Sequence, residues 1–166
     1  FVVQAEQLGT GHAVECAAEE LEGFDGPVVV LCGDTPLLRS EGLKGLLDVR
    51  ESSGDVSMLT AYVSDPTGYG RIVRGEEDDF ERIVEERDAT EDERRISEIN
   101  LGVYAFGAGD LMSYLGRVES QNAQGERYLT DVLGMYAADG RKVEIVELED
   151  AEEAAGVNSL SDLAEV

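Results

Sequence analysis

The sequence predicts an α/β layered fold, and three observations carry that reading. Short apolar runs suited to strands alternate with stretches of helical period. The run Val28-Val29-Val30-Leu31 is apolar on both faces, as buried parallel strands are. The chain of 166 residues is 42% apolar and 30% charged, a globular balance of the size of one domain.

Each element follows in order. Phe1-Val2-Val3 reads as the middle of a strand, so the domain is expected to begin upstream of Phe1 and to be N-terminally truncated here. His12 to Leu21 reads as a helix, broken by Gly23 and Gly26-Pro27, before the strand at Val28 to Leu31. Ser40 is a plausible N-cap for a helix whose stripe is Leu43, Leu46, Leu47 and Val49 and which stops at Ser52-Ser53-Gly54. Val56 to Val63 is a strand. Pro66, Gly68 and Gly70 make a turn into the strand Arg71-Ile72-Val73, and a charged hairpin tip at Gly75 to Asp79 leads to Phe80 to Val84. Leu101 to Phe106 is a strand followed by a helix near Asp110. Leu129 to Ala138 is a helix ended by Gly140, Val143 to Val146 a strand, and Ser159 the N-cap of a last helix. No repeat, low-complexity tract or linker divides residues 1–166, which read as one partial domain.

Acidic residues outnumber basic ones 37 to 13, giving a net charge of −24. Such a surface repels phosphate backbones and anionic lipid, so neither nucleic acid nor a membrane is an expected partner. No apolar run approaches the roughly 20 residues of a membrane span. Lys44 and Lys142 are the only lysines, a balance that fits both a high-salt cytoplasm and an ordinary acidic protein. Cys16 and Cys32 lack metal-ligand spacing and suit free thiols in a reducing cytoplasm.

Four segments could carry chemistry. In Gln4 to His12, Gly9 and Gly11 flank Thr10 just before a helix, which suits either an anion, a base edge or an ordinary helix cap. His12, the only histidine, reads more readily as structural than as a base. Asp34, in Leu31-Cys32-Gly33-Asp34-Thr35-Pro36, ends an apolar strand where open α/β sheets bind ligands. Its carboxylate could hold Mg²⁺ or merely serve a turn. Asp65 to Arg71 is a glycine-rich turn that lets backbone approach a sugar closely. Glu85, Asn100 and Asn158 each lie at a strand end or beside a glycine, where a turn residue is equally at home.

Together these strings are more specific than singly. Gln4 to His12, Gly33-Asp34, Asp65-Pro66-Thr67-Gly68-Tyr69-Gly70-Arg71-Ile72-Val73, Ile83-Val84-Glu85, Asp88-Ala89-Thr90, Glu98-Ile99-Asn100, Asn122-Ala123-Gln124-Gly125-Glu126, Tyr128-Leu129-Thr130-Asp131 and Gly156-Val157-Asn158 occur in one order. From Val3 to about Asn158 the chain resembles the uridylyltransferase half of the bacterial bifunctional N-acetylglucosamine-1-phosphate uridylyltransferase/glucosamine-1-phosphate acetyltransferase family.

The resemblance implies a Rossmann-like, nucleotide-diphospho-sugar transferase fold with a mixed, mainly parallel sheet flanked by helices. It implies transfer of UMP from UTP to N-acetylglucosamine-1-phosphate in the cytoplasm, for cell-wall precursor synthesis, with Mg²⁺ as cofactor. By the same resemblance Gln4, Gly9 and Thr10 would surround uracil, Asp34 and Asn158 would bind Mg²⁺, and Gly70, Glu85 and Asn100 would hold the amino sugar. No residue is expected as a covalent nucleophile. The family's glycine-rich, cationic phosphate loop and its C-terminal β-helix, which makes trimers, have no counterpart in these residues. Residues 1–166 alone are therefore expected to be inactive. Cys32 stands where the family usually has tyrosine, and Leu101 where it usually has threonine. The competing expectations are another sugar-1-phosphate nucleotidylyltransferase, such as one for glucose-1-phosphate, and a non-catalytic relative that binds nucleotide sugars.

Overall fold

The computed structural model describes residues 1–53, 55–157 and 159–165. Among the described residues, six strands form one sheet: β1 (Pro27–Val30), β2 (Val56–Tyr62), β3 (Gly70–Arg74), β4 (Phe80–Val84), β5 (Glu98–Gly107) and β6 (Val143–Glu147). The helices are α1 (Thr10–Glu15), α2 (Ser40–Ser53), α3 (Ala108–Leu115), α4 (Thr130–Ala138) and α5 (Leu160–Glu165). The spatial order is β4-β3-β5-β2-β6, with β1 also paired to β5.

Alternation along the two central strands explains the layers. Val56 and Met58 of β2, with Tyr104 and Phe106 of β5, face a core completed by Leu111 and Leu115 of α3 and Val132, Leu133 and Tyr136 of α4. The opposite face buries Leu59, Ala61, Ile99, Val103 and Ala105 against Leu46 of α2. Both faces of a strand are thus apolar, which is why these runs show little alternation in the sequence.

The expected mainly parallel sheet needs correction. β1, β2, β3 and β6 do point one way, but β5, which runs against them, sits between them. Four of the five pairings are therefore antiparallel, and only β2 with β6 is parallel. β1 is correspondingly an antiparallel partner of β5 with half-buried valines, not a buried parallel strand. Pro27, which cannot donate to a ladder, sits at its first position, where proline is tolerated.

Two local expectations also change. Phe1-Val2-Val3 is not a strand, and these side chains are exposed. The helix expected over His12 to Leu21 stops at Glu15, and a 3-10 turn covers Ala18–Leu21. Glu15 and Glu19 would repel each other four residues apart on one helix face, while Glu15 is drawn instead to Arg127. α5 follows its expected cap: Ser159 Oγ accepts from Asp162 N–H (3.2 Å), and Asp162 accepts from Ser159 N–H (2.9 Å).

Candidate active site

The site arises from a gap in strand pairing. β1 and β3 lie along the same edge of β5, one after the other: Val30 faces Tyr104, and Gly70 faces Asn100. Among the described residues none pairs with 101–103 of β5 on that edge. On its other edge β5 slips by two residues against β2, between the pairs Met58–Tyr104 and Thr60–Asn100. Gly102 lies in this bulge at φ 70°, and a Cβ there would come within 2.5 Å of Cys32 Sγ. A side chain there would be strained at this φ and would have to push the Cys32 thiol aside.

A cleft of about 540 Å³ opens over the gap. Thr10, Asp34, Gly70, Glu85 and Asn100 all line it, although the sequence separates them by up to 90 positions. Tyr69, Cys32, Tyr104 and Thr130 line it too; Tyr69 and Thr130 fall within the motif strings and Cys32 beside one, whereas Tyr104 carries no local sequence signal. Gln4 and Gly9 do not line it. Asn158 lies outside the described residues, while Val157 N–H donates to Asp34 C=O at 2.7 Å.

The polar groups are specifically arranged. Asn100 Oδ1 accepts from Gly102 N–H (3.1 Å) and from Tyr104 O–H (3.0 Å), which leaves its Nδ2 as a donor for a ligand. Glu85 Oε1 accepts from Thr130 O–H at 3.0 Å. Burial raises the Glu85 carboxyl above its usual range, Asp131 and Asp88 add to the rise, and the Thr130 hydrogen bond opposes it. Desolvation likewise raises the Cys32 thiol, reinforced by Asp34 and Glu85, so Cys32 is held as a poor nucleophile. A Cβ on Gly70 would sit 3.0 Å from Ile83 Cγ2 and 3.3 Å from Glu85 Oε2. Among the described residues the Asp34 carboxylate takes part in no hydrogen bond or ion pair, and it is exposed to the cleft. No three His, Cys, Asp or Glu side chains among them gather as a metal cage.

Two clamps hold the walls. Arg71, 1% exposed, donates to Tyr69 C=O and pairs with Glu86 at 2.6 Å, and Glu86 also accepts from Gly68 N–H. The Tyr69 hydroxyl donates to Ala154 C=O and accepts from Gly156 N–H, both at 3.2 Å. On the far wall, Gly11 N–H donates to Arg127 C=O, Arg127 N–H to Leu8 C=O, and Leu129 N–H to Thr10 Oγ1. Gly9 makes this docking possible. At φ 108° it lies so close that a Cβ would be 2.5 Å from the Arg127 carbonyl oxygen. Gln4 steadies the same loop: its Nε2 donates to Gly9 C=O (3.1 Å) and to His12 Nδ1 (3.0 Å).

Comparison with known proteins gives the family. A family model described as nucleotidyl transferase matches residues 1–152. The chain is 51% identical over 164 residues to the bifunctional protein GlmU of Corynebacterium diphtheriae, covering 98% of this chain and 34% of that protein. It is 48% identical over 166 residues to GlmU of Geobacter sulfurreducens (99% and 35%) and 46% identical over 159 residues to that of Shouchella clausii (95% and 35%). The chain thus spans about a third of the length of the curated relatives it matches.

Proposed function

The chain belongs to the nucleotidyl transferase family, and from that premise we propose that its cleft transfers UMP from UTP to N-acetylglucosamine-1-phosphate, releasing pyrophosphate. One observation carries the reading. Thr10, Asp34, Gly70, Glu85 and Asn100, distant in sequence, converge on one cleft and offer the chemistry this reaction needs. The GlmU relatives favour the amino-sugar branch. The product would feed cell-wall precursor synthesis in the cytoplasm, a setting that suits the free thiols of Cys16 and Cys32.

The sugar would sit between Gly70 and Asn100. Asn100 Nδ2 donates to a sugar oxygen, Glu85 Oε2 accepts from a hydroxyl or the acetamido N–H, and the bare face of Gly70 admits the ring. The Asp34 carboxylate, a hard oxygen without a competing partner, fits Mg²⁺ bound through few protein ligands and substrate phosphates, with Asn158 as the second protein ligand. Mg²⁺, when bound, offsets charge on the phosphates and orients them. The protein holds the sugar phosphate oxygen in line with the α-phosphorus, and no covalent enzyme intermediate is required.

The test is pyrophosphate release by the complete gene product with UTP and Mg²⁺, offering N-acetylglucosamine-1-phosphate and glucose-1-phosphate side by side. Clear preference for the amino sugar is expected. Equal efficiency on both would assign the cleft to a glucose-type nucleotidylyltransferase instead. The absence of turnover on either would leave a non-catalytic nucleotide-sugar binder.

A further inference from the structure

Tyr69 stands in the wall of the cleft, and its hydroxyl joins segments that the sequence keeps far apart. It donates to Ala154 C=O and accepts from Gly156 N–H, both at 3.2 Å, across 85 and 87 positions. One residue further on, Val157 N–H donates to Asp34 C=O at 2.7 Å. Gly70, Tyr69, Gly156 and Asp34 all line the cleft. A single phenol thus ties the turn that ends at Gly70 to the segment seated on Asp34. Among the described residues no other hydrogen bond joins 65–70 to 154–157. The Tyr69 ring packs on the core cluster that contains Ala154, so the hydroxyl can be removed while the ring keeps its place.

Both joined segments are irregular, since neither 65–69 nor 155–157 belongs to a helix or strand. Backbone outside the ladders is ordered by few bonds, and a ligand that rests on it must meet the entropy of ordering it. Where two such segments share one anchor, ordering the first lowers the cost of ordering the second. We propose that Tyr69 is a positioning residue that couples the two sides of the cleft: its hydroxyl passes the ordering of the 65–70 turn by the sugar phosphate to 154–157, so that each substrate is held more tightly once the other is in place. The proposal rests on the reading given above, with the sugar beside Gly70 and the nucleotide phosphates on the Asp34 side. Such coupling is reciprocal, so the sugar phosphate improves nucleotide affinity by the same factor as the reverse.

Calorimetric titration of the complete gene product tests this. N-acetylglucosamine-1-phosphate is titrated with and without α,β-methylene-UTP and Mg²⁺, in wild type and in Tyr69→Phe. The methylene group replaces the oxygen whose bond to the α-phosphorus would break, so both ligands stay intact. The ratio of the two dissociation constants is the coupling factor. Both ligands are anions, but their direct repulsion is common to the two proteins and cancels in the comparison. Tyr69→Phe should reduce the coupling factor about fivefold or more, with a smaller change in either affinity alone. Amide exchange reads the same link without nucleotide or metal: the sugar phosphate alone should slow Gly156 in wild type and not in Tyr69→Phe. An equal coupling factor in the two proteins overturns the proposal even if both affinities fall, because a merely structural hydroxyl would do that. Equal slowing of Gly156 overturns it too. If the wild type binds neither ligand, the functional reading fails and the coupling falls with it, whereas binding of both with unchanged coupling removes this proposal alone.

Discussion

Asp34 and Glu85 show how similar carboxylates receive different work from their surroundings. Asp34 is exposed and unpaired among the described residues, a free hard oxygen, whereas Glu85 is desolvated and fastened to Thr130. Asp34→Asn should lower turnover of the complete gene product on the order of 10²-fold or more, with an unchanged melting temperature. A variant of wild-type rate would remove Asp34 from the site. Glu85 makes a prediction about pH. Its carboxyl is raised in the folded chain, so the folded state binds the proton more tightly than the unfolded state. Its ionisation therefore costs stability as pH rises from the unfolded value, about 4.3, through the raised folded value. Glu85→Gln removes that cost while its carbonyl oxygen still accepts from Thr130. Its melting temperature should exceed wild type at pH 8, and the advantage should be lost as pH falls through the raised folded value toward about 4.3, the unfolded one. An advantage independent of pH would contradict burial as the cause.

At the scale of elements, the cleft depends on short segments pinned to one another. α1 has only six residues, too few to stand alone, and it is held by the backbone exchange of Leu8 and Gly11 with Arg127 and by Thr10 with Leu129. Gly9→Ala would force a Cβ against the Arg127 carbonyl at a backbone angle that side chains avoid. It should cost about 1–3 kcal/mol of stability. Amide exchange at Gly11, Arg127 and Leu129 should quicken together, because one docking contact protects all three. Exchange that stays slow at these positions would show that α1 is anchored otherwise. The early end of α1 and the antiparallel setting of β1 belong to the same scale, since both follow from partners distant in sequence, Arg127 for one and β5 for the other.

For the molecule as a whole, charge decides the conditions under which the fold and the cleft operate. With 37 acidic and 13 basic residues, self-repulsion opposes the compact state. Raising salt from about 0.1 M to about 1 M shortens the screening length from roughly 10 Å to roughly 3 Å. The melting temperature should rise across that range in NaCl, and a fall would mean that the ion pairs outweigh the repulsion. The described lining of the cleft carries Asp34 and Glu85 and not one lysine or arginine. Residues 1–166 by themselves should accordingly bind UTP weakly, only with Mg²⁺, and release no measurable pyrophosphate from UTP and N-acetylglucosamine-1-phosphate. Tight binding without Mg²⁺ would show that the cleft does not need an added cation.

The alternation of apolar runs and helical stretches was enough to locate every strand from Val28 onward, because buried strands leave apolar segments. β5, however, begins at Glu98 and not at the expected Leu101. The polar Glu98 and Asn100 hid its first pairings, and Asn100 lies inside the strand. Asp34, Gly70, Glu85 and Asn100 drew notice locally only as turn or strand-end residues, and it was the resemblance of the ordered strings to a known family that suggested roles for them and for Thr10; the folded chain brings all five to one cleft. Direction within the sheet left no such mark. A β-branched run looks the same whether its neighbour runs parallel or antiparallel, so only the folded chain showed that β5 opposes its neighbours and opens a gap between Val30 and Gly70. Roles that depend on distant partners were equally hidden. Thr130 orients Glu85 across 45 positions, and Gln4 points as it does because Gly9 and His12 leave its amide one orientation. Composition and spacing are properties of the chain, whereas the direction of a strand or of a hydrogen bond is set by whatever packs against it.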